Sequence, residues 1–361
     1  MSDAEQLGKI RDRIDAIDEQ VHQLLNQRAE AAMEVARIKL SADPNAVFYR
    51  PEREAQVLRM VQQRNQGPLD DEEVARLFRE IMSACLALER PLQIAYLGPA
   101  GTFTQAAALK HFGHSVRTES LGSIPDVFLD VESGKADYGV VPVENSTEGV
   151  VNHTLDTFLK SPLQICGEVS IRIHHNLLGK GQPLSELKTV FSHQQSLAQC
   201  RGWLDRHLPF VDRVPVGSNA EAAKLAAETP NAAAIAGEMA AELYGLDTLS
   251  ENIEDEAGNT TRFLVIGRQA TPPSGDDKTS LMMSAPNEAG GLYKMLRPLA
   301  DHGVSMTRIE SRPSRRENWD YVFFVDVNGH ADDPHMAKAI EELRKSAGMF
   351  KVLGSYPRAV L

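Results

Sequence analysis

Three sets of residues combine side chains and spacings suited to chemistry. The first is basic. Arg28 falls on an apolar stripe that runs Ile10, Ile14, Ile17, Val21, Leu24, then Ala31, Val35 and Ile38, in alternating steps of four and three. A guanidinium on such a seam is costly unless an anion meets it, although it can also bend out to solvent or fix register. Arg11 and Lys39 lie one step off the stripe, 28 residues apart. That is roughly 42 Å along a helix, beyond any single metabolite, so one ligand would need them from two antiparallel chains. The second set follows the strand Gly139 to Val143: Glu144, Asn145, Ser146 and Thr147. Short polar side chains there predict a helix cap with amide N–H groups turned toward an anion. The third is Asn259-Thr260-Thr261-Arg262, leading into a last strand from Phe263 to Gly267.

The elements that must position these residues fall into three blocks. No proline interrupts residues 4 to 40, and a loop from Ser41 to Tyr49 containing Pro44 separates that helix from a second, Pro51 to Arg64. Asn65-Gln66-Gly67-Pro68 ends the second helix, and a third is predicted from about Asp70 to Leu88 with Val74, Leu77, Phe78, Ile81 and Met82 facing inward. In the middle block, strand, small turn and helix recur at Ile94–Leu97 with Gly98, Thr189–Phe191 with Ser192, and Ala232–Ala236 with Gly237. That order suits an open α/β domain with ligands at the carboxyl ends of its strands. After a turn-rich linker, Thr271 to Asp277, the pattern is β-α-β-β-α-β, including a strand from Trp319 to Val327. This is a ferredoxin-like order.

Motifs sharpen the picture. Tyr96-Leu97-Gly98-Pro99-Ala100-Gly101-Thr102-Phe103, Val141-Pro142-Val143-Glu144-Asn145-Ser146 and Thr261-Arg262-Phe263 together resemble a prephenate dehydratase domain over roughly 92–268. The resemblance implies a two-lobed fold like the type-II periplasmic binding proteins, with prephenate between the lobes losing water and carbon dioxide to give phenylpyruvate. It implies Thr261 as the oriented donor to the departing hydroxyl, supported by Asn145 or Ser192. Glu144, Gln199 and Arg262 are further candidates for contacting substrate, and Glu144 and Gln199 can equally be capping or surface residues.

Residues 1–91 are similar to the helical chorismate mutases, with Arg11, Arg28, Lys39 and the Arg53-Glu54 pair matching in order. Cys85 stands where serine is often found, Glu89 where some members carry glutamine, and Arg50 at the acidic loop position. The implied reaction rearranges chorismate to prephenate without a covalent intermediate or cofactor. Arg28 and the partner's Arg11 then suit the two carboxylates, Lys39 and Glu89 the ether oxygen, and Glu54 the ring hydroxyl. Finally, Gly290-Gly291-Leu292-Tyr293 and Glu310-Ser311-Arg312-Pro313 resemble the signatures of an amino-acid-binding ACT domain, with departures at Gly291 and Tyr293. Glycine at that junction lets N–H groups approach a carboxylate. The implied effector is L-phenylalanine.

The expected architecture is therefore multidomain: all-α helical over 1–91, two-lobed α/β over 92–270, and α+β ferredoxin-like over 278–361. With 361 residues, several cores are needed. A net charge of -12 disfavours nucleic acid as a partner and makes individual arginines important for anionic substrates. No apolar run suits a membrane span, and the acidic start lacks a signal-peptide core. Three scattered cysteines suggest neither disulfides nor zinc, which fits a reducing cytoplasm. Neighbouring His174 and His175 would point to opposite faces of a strand, so no metal is expected. Two rival readings stay open: a solute-binding protein of the same central fold, and a dehydratase whose helical block only dimerises.

Overall fold

The computed structural model describes residues 3–43, 46–285, 288–313 and 321–361. Pro44 and the expected strand start at Trp319 lie outside the described residues. Three helices open the chain: α1 (Asp3–Ala42), α2 (Pro51–Arg64) and α3 (Asp71–Glu89). With no internal proline, acidic residues in its first turn and Lys39 in its last, α1 runs for 40 residues, about 60 Å. It packs against α3. Its apolar stripe is consequently open: Ile10, Ile14, Ile17, Val21, Leu24, Val35 and Ile38 are between 47% and 63% exposed.

The face of α3 expected to point inward is only partly covered. Leu77 is exposed, while Val74, Phe78, Ile81 and Met82 are half-buried. The buried α3 residues are Ala75, Arg79, Ser83 and Cys85, because that side docks onto the next domain. Arg79 Nη1 donates to the Lys110 carbonyl at 2.8 Å. A Cβ on Gly113 would meet Ser83 Cβ at 2.5 Å. Tyr49 is packed with Phe112 and Tyr138, and its hydroxyl lies 3.1 Å from His111 Nε2. Burial lowers the His111 pKa to about 3, so this histidine is neutral.

The middle domain has two lobes. Lobe one contains β1 (Gln93–Leu97), α4 (Phe103–Phe112), β2 (Arg117–Leu121), α5 (Ile124–Glu132), β3 (Tyr138–Asn145), β4 (Gly149–Val150), α6 (Asn152–Phe158) and β5 (Gln164–Arg172). Lobe two contains β6 (Asn176–Gly179), β7 (Thr189–His193), α7 (Gln194–Gln199), α8 (Arg201–His207), β8 (Asp212–Val216), α9 (Asn219–Glu228), β9 (Ala232–Ala236), α10 (Glu238–Tyr244) and β10 (Asp247–Ser250), in sheet order β10-β6-β9-β7-β8. The chain then returns as β11 (Thr260–Gly267), antiparallel between β3 and β5, completing the order β2-β1-β3-β11-β5 in lobe one. The two crossings between lobes run side by side. Ile173 N donates to the Asn259 carbonyl and Ile253 N to the His175 carbonyl, each at 2.8 Å.

The last domain is β12 (Asp277–Ser284), α11 (Gly291–Asp301), β13 (Met306–Pro313), β14 (Tyr321–Asn328), α12 (Pro334–Ser346) and β15 (Met349–Pro357), in antiparallel order β13-β14-β12-β15. Its helices cover one sheet face, where Leu281, Met283 and Val325 meet Met295, Leu299 and Met336. The other face is joined to lobe one: Met282, Phe324, Leu353 and Tyr356 share a core with Val143, Leu155, Phe158, Ile165 and Leu264. Gly354 permits this approach, since a Cβ there would meet the Ile165 backbone nitrogen at 2.7 Å. The linker is ordered by Asp277, which accepts from Ser274 Oγ at 2.6 Å, and by Arg59 of α2, which donates to the Asp276 carbonyl at 2.7 Å.

Candidate active sites

Thr261 and Asn145 face each other across β11 and β3. The sequence pattern predicts a helix cap at Asn145. The structure has a hairpin there, with Asn145 opposite Gly149 of β4 and the helix α6 delayed to Asn152. Asn145 Oδ1 accepts from the N–H groups of Thr147 at 3.0 Å and Glu148 at 2.9 Å, which settles the orientation of the amide. Its Nδ2 is thereby turned to Thr261 Oγ1 and to Asn259 Oδ1, both at 2.8 Å. The relay continues across the lobes. Asn259 Nδ2 donates to Gln199 Oε1 at 3.1 Å, and Gln199 Nε2 donates to Glu148 Oε1 at 3.1 Å. Every link runs in one direction, so Thr261 accepts from Asn145 and its own proton is left for a ligand oxygen.

His175 Nε2 lies 2.8 Å from Gln199 Oε1, an oxygen that can only accept, so Nε2 carries the proton. Burial lowers the His175 pKa, which keeps the ring neutral. His174 turns the other way, with Nδ1 3.1 Å from Glu254 Oε1. A cavity of about 280 Å³ opens beside Gln199 and Asn259. Two acids on its wall are occupied: Asp255 accepts from Gly202 N at 2.7 Å and Trp203 N at 2.9 Å, and Glu254 Oε2 accepts from His175 N at 2.9 Å.

Several expected site residues have other partners. Ser192 is fully buried, and its hydroxyl is engaged by the Ile235 carbonyl at 2.9 Å and Asn219 Oδ1 at 3.0 Å, so the support for Thr261 comes from Asn145. Arg262 follows Thr261 on a strand and points to the opposite face, where it meets Asp326 of β14 at 2.6 Å rather than the cleft. Glu144, paired with Arg262 across the strands, shares that face and meets Arg308 Nε of β13 at 2.9 Å. Gln199 does lie in the relay. Glu148, Asn259 and His175 are additional members of it. Asn259 was accessible to pattern, since residues i and i+2 on a strand share a face, whereas nothing local in the sequence marks Glu148.

In the helical domain Lys39 and Glu89 come together. Burial raises the Glu89 pKa while Lys39 opposes it, and Glu89 Oε2 is buried without a partner among the described residues. Arg28 is half-buried and has no ion pair among the described residues; Arg11 and Arg53 are exposed. Arg50 pairs with Glu52, and Cys85 is buried. Glu54, expected at the ring hydroxyl, has Arg79 Nε at 3.4 Å and lines a pocket with Tyr49, His111 and Cys166 on the side that docks onto lobe one. Burial raises its pKa, with Arg79 pulling the other way.

In the last domain Gly290 adopts φ 79, a left-handed conformation that turns the chain into α11 at Gly291, and Leu292 and Tyr293 are exposed. Ser311 is exposed and Glu310 half-buried on β13, the edge of the sheet. Arg312 is directed to Asp156 of lobe one at 3.1 Å, an interdomain role rather than an effector contact in this chain.

A hydroxyl donor held by an amide relay between two lobes, flanked by a helical and a ferredoxin-like domain, defines a multidomain enzyme of the dehydratase class. Family models described as prephenate dehydratase, chorismate mutase type II and ACT domain match residues 94–271, 10–90 and 279–345. The bifunctional chorismate mutase/prephenate dehydratase of Stutzerimonas stutzeri is 57% identical over 365 residues, covering 100% of both chains. Among solved structures, prephenate dehydratase of Arthrobacter aurescens in complex with L-Phe has TM-score 0.68 and 35% identity, covering 74% of this chain and 90% of that one. A structure described as GqqA, a quorum-quenching acylase, has TM-score 0.69 and 32% identity over 74% of this chain and 98% of that one. The chain belongs to the bifunctional chorismate mutase/prephenate dehydratase family.

Proposed function

We propose that the helical domain rearranges chorismate to prephenate, that the two-lobed domain converts prephenate to phenylpyruvate, and that L-phenylalanine acts on the last domain as feedback inhibitor. The observation that carries the dehydratase assignment is the 2.8 Å bond from Asn145 Nδ2 to Thr261 Oγ1. It leaves the threonine proton for the ring hydroxyl of prephenate. As that C–O bond breaks, the C–C bond to the ring carboxylate supplies the electron pair that aromatises the ring, and carbon dioxide departs. The leaving oxygen ends as water, so a donor aimed at it lowers the barrier. The oriented amides of Asn259 and Gln199, ending on Glu148, hold this geometry.

The mutase site is composite in this reading. Lys39 and Glu89 belong to one chain, and the open stripe of α1 supports an antiparallel dimer in which the partner's Arg11 joins Arg28 at the substrate carboxylates. L-Phenylalanine would bind where two regulatory domains meet, near Gly290, Gly291 and Ser311; the choice of ligand is supported by the Arthrobacter aurescens dehydratase, which is described in complex with L-Phe. Three buried thiols, each unpaired, support a reducing cytoplasmic setting.

Replacing Thr261 by valine tests the central claim, since the shapes match and only the hydroxyl is lost. Dehydratase kcat should fall by roughly 100-fold or more while mutase turnover is unchanged. A folded Thr261→Val chain that still dehydrates prephenate at the wild-type rate would remove Thr261 from the mechanism.

A further inference from the structure

Arg262 and Glu144, beside Thr261 and Asn145, face away from the cleft into a cluster of charges shared with the last domain. Arg262 Nη1 meets Asp326 Oδ2 of β14 at 2.6 Å, its Nε meets Glu168 Oε2 of β5 at 2.9 Å, and its Nη2 donates to the Tyr356 hydroxyl of β15 at 2.9 Å. Around them Lys278 of β12 lies 2.8 Å from Glu168, and Ser280 donates to Asp326 Oδ1 at 2.6 Å. Next to this set, Glu144 is held by Arg308 of β13 at 2.9 Å. The cluster balances three cations, Arg262, Lys278 and Arg308, against three carboxylates, Glu168, Asp326 and Glu144. Burial opposes the Arg262 charge, but Tyr356, Asp326 and Glu168 outweigh it and raise its pKa.

Strand geometry links this cluster to the chemistry. Thr261 faces Asn145 and Arg262 faces Glu144, so two successive cross-strand pairs present donor residues on one face and clamped charges on the other. Successive residues share a peptide plane, so a tilt imposed on Arg262 is a tilt of Thr261. On the β3 side the register shifts between Arg262 and Phe263, while pairing with β5 runs unbroken from Thr260 to Val265. At the bulge the β3 ladder no longer fixes the direction of the strand, and side-chain anchors add to the hold that β5 provides. Both anchors, Asp326 and Arg308, come from the regulatory domain, and Arg308 is on the same edge strand as Ser311.

We propose that Arg262 is a positioning residue: through Arg262–Asp326, seconded by Glu144–Arg308, the regulatory domain aims Thr261 from the back of its own strand. An effector that moves β13 or β14 can then change turnover without reaching the cleft. This inference rests on the reading of Thr261 as the donor.

The test uses the full chain with prephenate, L-phenylalanine and two variants that retain bulk. Asp326→Asn keeps the size and the Ser280 contact but removes the charge. Arg262→Lys keeps the charge but loses the fork that meets three partners. In both, dehydratase kcat should drop at least about tenfold with KM changed less than about twofold, and inhibition by L-phenylalanine should weaken. The double variant should be no worse than the poorer single one. Asp156→Asn breaks an interdomain ion pair outside the cluster, Arg312–Asp156, and should leave dehydratase kcat unchanged. Mutase turnover reports folding throughout. An equal kcat loss in Asp156→Asn would reduce the effect to domain docking and overturn the proposal. So would wild-type kcat and inhibition in Asp326→Asn and Arg262→Lys. Thr261→Val separates the two levels: if it is inactive while the other variants are normal, the positioning role alone fails, and if it is active the donor reading itself fails.

Discussion

Glu89 carries the sharpest prediction at the scale of a single residue. A carboxylate cannot donate to the ether oxygen of chorismate; the protonated acid can. Burial raises its pKa and Lys39 limits the rise, so the acid form persists further above pH 4.3 than for a solvated glutamate. Mutase kcat/KM should therefore fall as pH rises through the Glu89 pKa, and the dehydratase rate should not follow. In Glu89→Gln the mutase profile should be flat over the same range, because an amide keeps its donor. A wild-type profile without that fall, measured from acid to neutral pH, contradicts the role. The chemistry-bearing residues were unevenly legible in the sequence. Thr261 and Asn145 follow from motifs, and their pairing follows once two strands are placed side by side. Arg262 and Glu144, candidates for contacting substrate, lie on the opposite face, because Asp326 and Arg308 come from a later domain and no local pattern announces them.

Elements were easier to read where a period repeats. Uninterrupted spacing made α1 visible, and capping and proline signals bounded α2 and α3. Orientation was harder: α3 turns Arg79 and Ser83 to lobe one, where they bond the Lys110 carbonyl and the Ser115 N–H, partners that no local pattern marks. The same limit applies to β15, whose sequence reads as an ordinary strand. Its backbone closes on β5 at Gly354, where a methyl group would meet the Ile165 backbone rather than a movable side chain. Gly354→Ala should cost about 1–3 kcal/mol and lower the urea midpoint of the dehydratase and regulatory unit. Gly122→Ala, with open space around its Cβ, is the matched control and should stay near wild type. Equal midpoints for the two variants would mean that this strand contact contributes little.

For the whole molecule, the open stripe on α1 is the basis for predicting a second copy. A helix about 60 Å long with seven apolar side chains half-exposed is unfavourable in water unless a like surface covers it. Chains carrying Arg11→Ala and Arg28→Ala should each lose mutase activity alone and regain part of it on mixing, since a mixed dimer has one site with both arginines. Persistent inactivity after proven subunit exchange would exclude a shared site, and sedimentation of the wild type should give at least a dimer. The paired crossings at 173–175 and 251–259 add a mechanical property. Lobe two is an excursion of the chain that leaves lobe one on one strand and returns on the next, with the two passages bonded to each other. Two bonded straps bend together about one line but resist twisting, so a rotation of lobe two is confined to that line. Confined in this way, Gln199 can return to Asn259 and Glu148 in one register only.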